Sequence, residues 1–235
     1  MEPGLEKIAL LAVTKLGGAL CLAGVNNQRE WVRPVRLDRG DWPLFDKNDI
    51  TDKNGKTVAA LNNVIALNLL RPVPAPGEPH VEDWEYDRTL KPMLVKTLND
   101  RERLGLLRSL IEKDPDGVIE KKTRSLCLVE PEALIHADFS SVRRAKYKPE
   151  LAFRLGGKEL CFPVTDIHWR ALGRTLAEKR AQGILREKEL QSALGYKKIF
   201  LTLGLTRRYY GKYYPMVIGV HPVPFFPAAI DYQNL

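Results

Sequence analysis

The sequence predicts a mainly β protein with minor α, built as two small β-barrels with helical insertions. Three observations predict it. Short apolar runs rich in β-branched residues recur along 235 residues, separated by glycine, asparagine and proline turns. Two stretches alone, 99–112 and 169–194, carry helical spacing or helix-forming composition. Charge divides the chain: residues 1–120 hold 17 Lys and Arg against 19 Asp and Glu, while residues 121–235 hold 20 against 10.

The first half reads as a meander. Ile8 to Thr14 and Ala19 to Val25 are apolar strands around a Gly17-Gly18 turn. Asn26-Asn27 turns the chain again, since Asn tolerates positive φ, and Glu30 to Val35 resumes a strand. Residues 38–57 are polar and read as a loop, and Val58 to Leu70 is apolar again. The proline-rich segment Arg71 to Pro79 can enter neither a central strand nor a helix interior, so it must lie extended on the surface. Leu104, Leu107, Leu110 and Ile111 then fall at helical spacing, with Asn99 or Asp100 as the cap. Asp114-Pro115-Asp116-Gly117 stops that helix. The boundary is expected there, giving units of 1–117 and 118–235.

The second half follows a similar rhythm. Arg124 to Val129 is a strand ending at Pro131. Leu151 to Leu155 and Lys158 to Val164 form a hairpin around Gly156-Gly157. The helical stretch 169–194 follows, then a hairpin of Lys197 to Leu205 with Tyr213 to Val220. His221 to Pro227 reads as an extended, proline-rich end. An OB-type barrel has five strands, and the 169–194 stretch stands where a helical insertion between its third and fourth strands would. The first half fits that pattern more loosely.

Composition narrows the function classes. A hydrophobic share of 44% is enough to bury a core, which excludes disorder over most of the length. No stretch approaches the ~20 apolar residues of a membrane helix. The start, Met1 to Lys15, has an acidic lead and no small-residue cleavage site, so it reads as a strand rather than a signal peptide. A cytoplasmic protein without membrane contact is the expectation. Cys21, Cys127 and Cys161 are odd in number, lack metal-ligand spacing and sit in apolar runs, so buried free thiols are expected.

The basic half carries the strongest local signal. Arg207, Arg208, Tyr209, Tyr210, Lys212, Tyr213 and Tyr214 fall within eight residues at the tip of a predicted hairpin. Tyrosine faces stack bases and cations meet phosphates, which is the combination of a single-strand-binding surface. The bland alternative is that alternate tyrosines pack inward and the cations are merely solvated. Arg143, Arg144, Lys146 and Lys148, interleaved with Tyr147, form a second basic run in what reads as an exposed loop. Lys122 and Arg124 lie in a third. Arg33, two residues from Trp31 on one strand, reads as a structural ion pair beside a core tryptophan.

No motif for catalysis or a cofactor is present: there is no GxSxG, no Walker loop and no GxGxxG. No catalytic residue, metal site or cofactor is therefore assigned. His80 beside Glu82 and Asp83, and Asp166 near His168, are weak acid–base candidates.

The opening strand, Cys21 to Val25 and Glu30 to Val35 resemble the start of the bacterial dual OB-containing domain family. Lys122 to Leu126, Val164-Thr165-Asp166, Phe200 to Leu203 and Ile218-Gly219-Val220 resemble its C-terminal unit. The resemblance implies two OB-like barrels in one body. It also implies a non-catalytic binding role, often tied to prokaryotic conflict and defence systems. The leading expectation is a nucleic-acid-binding protein for RNA or single-stranded DNA, as a subunit or accessory of a defence complex, with the acidic N-terminal half free for a protein partner. A scaffold subunit docking on an acidic partner is the second reading. A metal-dependent enzyme acting on nucleic acid, through Asp166, His168 and His80, is the third.

Overall fold

The computed structural model describes residues 5–16, 19–39, 44–140, 142–143, 146–179, 183–227 and 230. The Gly17-Gly18 turn and Arg144 lie outside them. The protein is mostly β, with 46% strand and 19% helix. No helix among the described residues is long and apolar enough to cross a membrane.

The first ring contains β1 (Leu5–Leu16), β2 (Ala19–Val25), β3 (Trp31–Val35), β4 (Asn63–Pro72) and β5 (Asp83–Tyr86). Its order is β1-β2-β3-β5-β4, and a β1–β4 pairing closes it into a five-stranded barrel. The β3–β5 contact is parallel and the others antiparallel. Closure depends on β1 serving two neighbours. Leu5 to Ala9 pairs with β4, and Ala9 to Leu16 pairs with β2 through a register shift between Leu10 and Ala12 that bends the strand. Gly24 makes room for that bend, since a Cβ there would lie 2.1 Å from the Ala9 carbonyl oxygen. β6 (Met93–Thr97) extends the sheet beyond β4. Ile8, Leu10, Leu22, Phe45, Ile65 and Leu67 fill the interior.

Helices α1 (Asp100–Ser109) and α2 (Asp116–Ile119) lead to the second ring. There β7 (Leu126–Val129) and β8 (Ala133–Asp138) act as one strand interrupted at Glu130-Pro131. A small hairpin of β9 (Val142–Arg143) and β10 (Lys146–Tyr147) follows, then β11 (Glu150–Leu155) and β12 (Lys158–Pro163). After α3 (Ile167–Lys179), β13 (Ile184–Arg186) and α4 (Glu187–Leu194) come β14 (Lys198–Leu205) and β15 (Pro215–Val223). β8 pairs with β11, β11 with β12, and β15 with β14, which pairs with β7. A parallel bridge of Val164 to Val217 joins the end of β12 to β15. The strand order therefore repeats that of the first ring, and the helical insertion falls between its third and fourth strands.

Several expectations change. The first ring is closed by the β1–β4 ladder, whereas the second is interrupted at Glu130-Pro131 and closed by the Val164–Val217 bridge. The stretch 169–194 is two helices with a strand between them. Gly183 explains the break: its backbone abuts Ser140, where a Cβ would lie 2.4 Å from the Ser140 Cβ, and its carbonyl accepts from Phe139 N at 2.7 Å. The run expected as a loop at 143–148 contains the β9–β10 pairing. β15 continues through Pro222, which sits opposite Ile199. Cys127 is buried, but Cys161 faces outward on β12 and is exposed, so the buried-thiol expectation fails there.

The rings pack through an apolar seam. Leu11 and Val25 meet Leu128, Phe200 and Val223, with Leu107 of α1 among them. Arg103, one turn earlier, is buried, donates to the Pro222 carbonyl and lies 5.0 Å from the centre of the Phe225 ring. Burial lowers its pKa to about 10. Gly219 of β15 rests on β1, and a Cβ there would lie 2.1 Å from the Leu11 carbonyl oxygen. Backbone must move to admit it, so Gly219→Ala is expected to cost about 1–3 kcal/mol. A fall in thermal midpoint against wild type checks this; an unchanged midpoint would contradict the close packing.

Two buried histidines make stability depend on pH. His80 is lowered to about 3 by burial first, then by Arg33 and Arg207. His221, whose Nε2 lies 2.8 Å from Thr202 Oγ1, is lowered to about 3, with burial the leading cause. Below the ordinary value of 6.5 the unfolded chain takes up protons that the folded chain refuses, so stability falls as pH drops from 6.5 towards 3. Each histidine contributes a slope of up to about 1.4 kcal/mol per pH unit. Denaturation at pH 5.5 and 7.5 is expected to show this loss, and His80→Leu is expected to reduce it.

Candidate nucleic-acid interface

The predicted hairpin at 206–214 is the loop between the fourth and fifth strands of the second ring, β14 and β15. The other basic run, 139–149, is the loop between its first and second strands, β8 and β11. In an OB barrel these two loops flank the face that takes oligonucleotides or oligosaccharides. By chain order both segments are therefore the counterparts of those loops, which runs of charge alone do not specify.

The hairpin is well fixed. Tyr210 and Gly211 have φ of 48° and 76°, so the tip is a two-residue turn with left-handed backbone at both centres. Tyr209 N donates to Lys212 O at 2.9 Å and Lys212 N to Tyr209 O at 3.1 Å. At the base Thr206 N donates to Tyr214 O, and Tyr214 N to Thr206 Oγ1, both at 3.0 Å. Tyr210 is 85% exposed and Tyr209 52%, and their rings meet edge-on with centres 4.4 Å apart. Aromatic area so exposed is unusual in a folded surface, and it offers two faces for stacking. Arg208 and Lys212 are exposed, with no carboxylate paired to either among the described residues.

The other members of the cluster serve the fold. Arg207 Nη1 lies 2.7 Å from Asp83 Oδ2 of the first ring. Tyr213 donates its hydroxyl to Glu78, in the proline-rich loop between β4 and β5, and packs edge-on against His80. These two side chains clamp the base of the hairpin to the first ring. Beside them Arg33 Nε donates to Asp83 Oδ1 at 2.6 Å and Arg33 Nη1 to Ser125 Oγ at 3.1 Å, in the structural ion pair the sequence predicts. Glu82 accepts from Ser125 N, Ser125 Oγ and Leu126 N at 2.7–3.1 Å.

In the second segment, Arg143 and Lys146 stand in the paired strands β9 and β10, and Lys148 is exposed just after them. Arg144 lies outside the described residues. In the third, Arg124 is held by Glu112 at 2.5 Å and by the Asp114 carbonyl at 3.1 Å, so it fastens the chain ahead of β7. Lys122 is half-buried there in a left-handed conformation. Sequence reasoning missed Arg170 and Arg174, whose guanidinium groups both stand over the ring of Tyr147. Their four-residue spacing on one helix face was the available signal.

The acid–base candidates have structural occupations. Asp166 is fully buried and accepts from His168 N at 2.8 Å and Val220 N at 2.7 Å, capping α3 and tying it to β15. His80 is buried with its Nδ1 3.9 Å from Glu78 Oε2, and its neighbours Glu82 and Asp83 are taken as described. Among the described residues no group of three His, Cys, Asp or Glu could hold a metal ion. A groove of about 900 Å³ runs beside β13, but Arg186, Glu187, Lys188 and Glu189 in its lining cancel in charge.

Among solved structures, the tetrameric p202 HIN2 is similar at 11% identity over 92% of each chain, with a TM-score of 0.27. No curated protein matches. The family model of the dual OB-containing domain matches residues 6–220, and the chain belongs to that family.

Proposed function

We propose that this protein binds single-stranded nucleic acid, RNA or DNA, across the second ring. The observation that carries the reading is the position of the Arg208–Tyr214 hairpin: its free cations and exposed tyrosines form one of the two loops that border an OB ligand face. Bases would stack on Tyr209 and Tyr210, while Arg208, Lys212 and Lys148 meet phosphates. Stacking tolerates any base, so weak sequence preference is part of the reading. The net charge of +10 after residue 120 supplies long-range attraction. The first ring, in the half with net charge −2, would serve as a platform or protein-docking body. A cytoplasmic setting and a place in a prokaryotic defence complex are proposals drawn from the family resemblance.

The measurement is fluorescence anisotropy with a labelled single-stranded oligonucleotide at several salt concentrations. Affinity is expected to fall steeply with salt. Tyr210→Ala is expected to cost about 1–3 kcal/mol with little change in salt slope. Arg208→Ala with Lys212→Ala is expected to lower the slope by about 1.4, roughly 0.7 for each phosphate contact. No affinity for any single strand at low salt, together with a fixed protein partner in the preparation, would favour the scaffold reading instead.

A further inference from the structure

Three cations gather where the two rings meet. Arg170 and Arg174 stand one turn apart on α3. Their guanidinium carbons lie 5.6 and 5.2 Å from the centre of the Tyr147 ring. Arg170 also donates to the Tyr147 carbonyl at 3.0 Å. The third cation is Lys15 of β1, in the first ring. The bridge between Thr14 and Asp166 sets that end of β1 against the start of α3. Lys15 is half-buried, and its pKa is lowered by burial first and then by Arg170 and Arg174. The guanidinium of Arg170 is destabilised in the same way, by burial and then by Arg174.

The tyrosine beneath the two guanidinium groups is held in place. Its hydroxyl is buried without a hydrogen-bond partner among the described residues, over Gly173, where a Cβ would lie 2.4 Å from that oxygen. Only glycine lets the ring lie so close to α3. Asp138, a carboxylate that acts on the Tyr147 hydroxyl, is engaged by Ser140 N and Oγ at 2.8 and 2.7 Å. No ion pair to an acid is formed by Lys15, Arg170 or Arg174 among the described residues.

Like charges this close repel, and an anion seated between them removes the repulsion. A guanidinium stacked on a ring keeps its N–H edges free for oxygen acceptors, and those edges fit phosphate. Three cations exceed what one carboxylate offsets. They match neighbouring phosphodiesters, or a terminal phosphate carrying a charge of about −2. We propose that Lys15, Arg170 and Arg174 form a phosphate-binding site on the Tyr147 platform, at the junction of the two rings. The site deepens the nucleic-acid reading, on which the source of the phosphate rests. It gives the first ring a share in the contact through Lys15.

The test uses the full chain with Lys15→Ala and Arg174→Ala combined. Arg170 is kept because it ties the Tyr147 carbonyl, and a thermal melt confirms that the variant is folded. Binding is measured for one single-stranded oligonucleotide with and without a 5′-phosphate. A several-fold loss for both, with a salt slope lower by about 1.4, supports a backbone-phosphodiester site. A loss confined to the phosphorylated strand supports a terminal-phosphate site. Unchanged affinity and slope for both strands, alongside a loss for the Arg208→Ala, Lys212→Ala variant, overturns the site and leaves the nucleic-acid reading standing. If the wild-type chain binds neither strand, that reading fails, and pyrophosphate then decides. A thermal shift in wild type that the variant lacks supports the site, and no shift in either overturns it.

Discussion

The arrangement of the whole molecule depends on two adjacent carboxylates, Glu82 and Asp83, buried where the two rings join. A buried charge costs several kcal/mol unless partners replace its water. Here they do. Asp83 is shared by Arg33 of its own ring and Arg207 of the other. Glu82 takes two backbone N–H groups and a hydroxyl at the start of β7. Hydrogen bonds to charged groups are directional as well as strong, so these contacts set where β7 begins and where the β14–β15 hairpin leaves the body. The apolar seam of Leu11, Val25, Leu128 and Phe200 supplies attraction but little orientation. The carboxylates supply the orientation.

That constraint also divides the labour within the basic cluster. Two side chains of the hairpin turn towards the first ring, and four stand clear of it. Arg207 and Tyr213 face it and are used up on Asp83 and Glu78. Arg208, Tyr209, Tyr210 and Lys212 face solvent on a turn whose backbone is closed at both tip and base. A rigid hairpin loses little entropy on contact, so its exposed rings and cations can act as a preformed surface. The acidic residues of the first half thereby act on the second half's surface: they neutralise the cations nearest the joint and leave the distal ones free.

Much of this was legible in the sequence. Strands β1 to β3, the β11–β12 hairpin and α1 follow from periodicity, turn residues and the Asn99 cap, which bonds Glu102 N at 3.0 Å. β5, β6 and β8 were not visible. The sequence of β5, Asp-Trp-Glu-Tyr, reads as polar because Asp83 is spent on an ion pair. The split of α3 from α4 was hidden because Ile184 to Arg186 shares the helix-forming composition around it. What breaks the helix is a backbone contact to Ser140, more than forty residues away in the chain. The basic clusters were legible as composition, but the roles of their members were not. Tyr213 meets Glu78 across 135 residues, and no local pattern announces such a partner. The Tyr147 platform escaped for a related reason: its parts come from β1, β10 and α3, and only the folded chain assembles them.

The most direct measurement of the central claim is photochemical cross-linking of a 4-thiouridine single strand to the purified protein, with the joined peptides identified by mass spectrometry. The account expects adducts on the hairpin peptide at Tyr209 or Tyr210, with further adducts in the segment around Lys148. Adducts confined to the first ring, or none under conditions where the strand is bound, would contradict it.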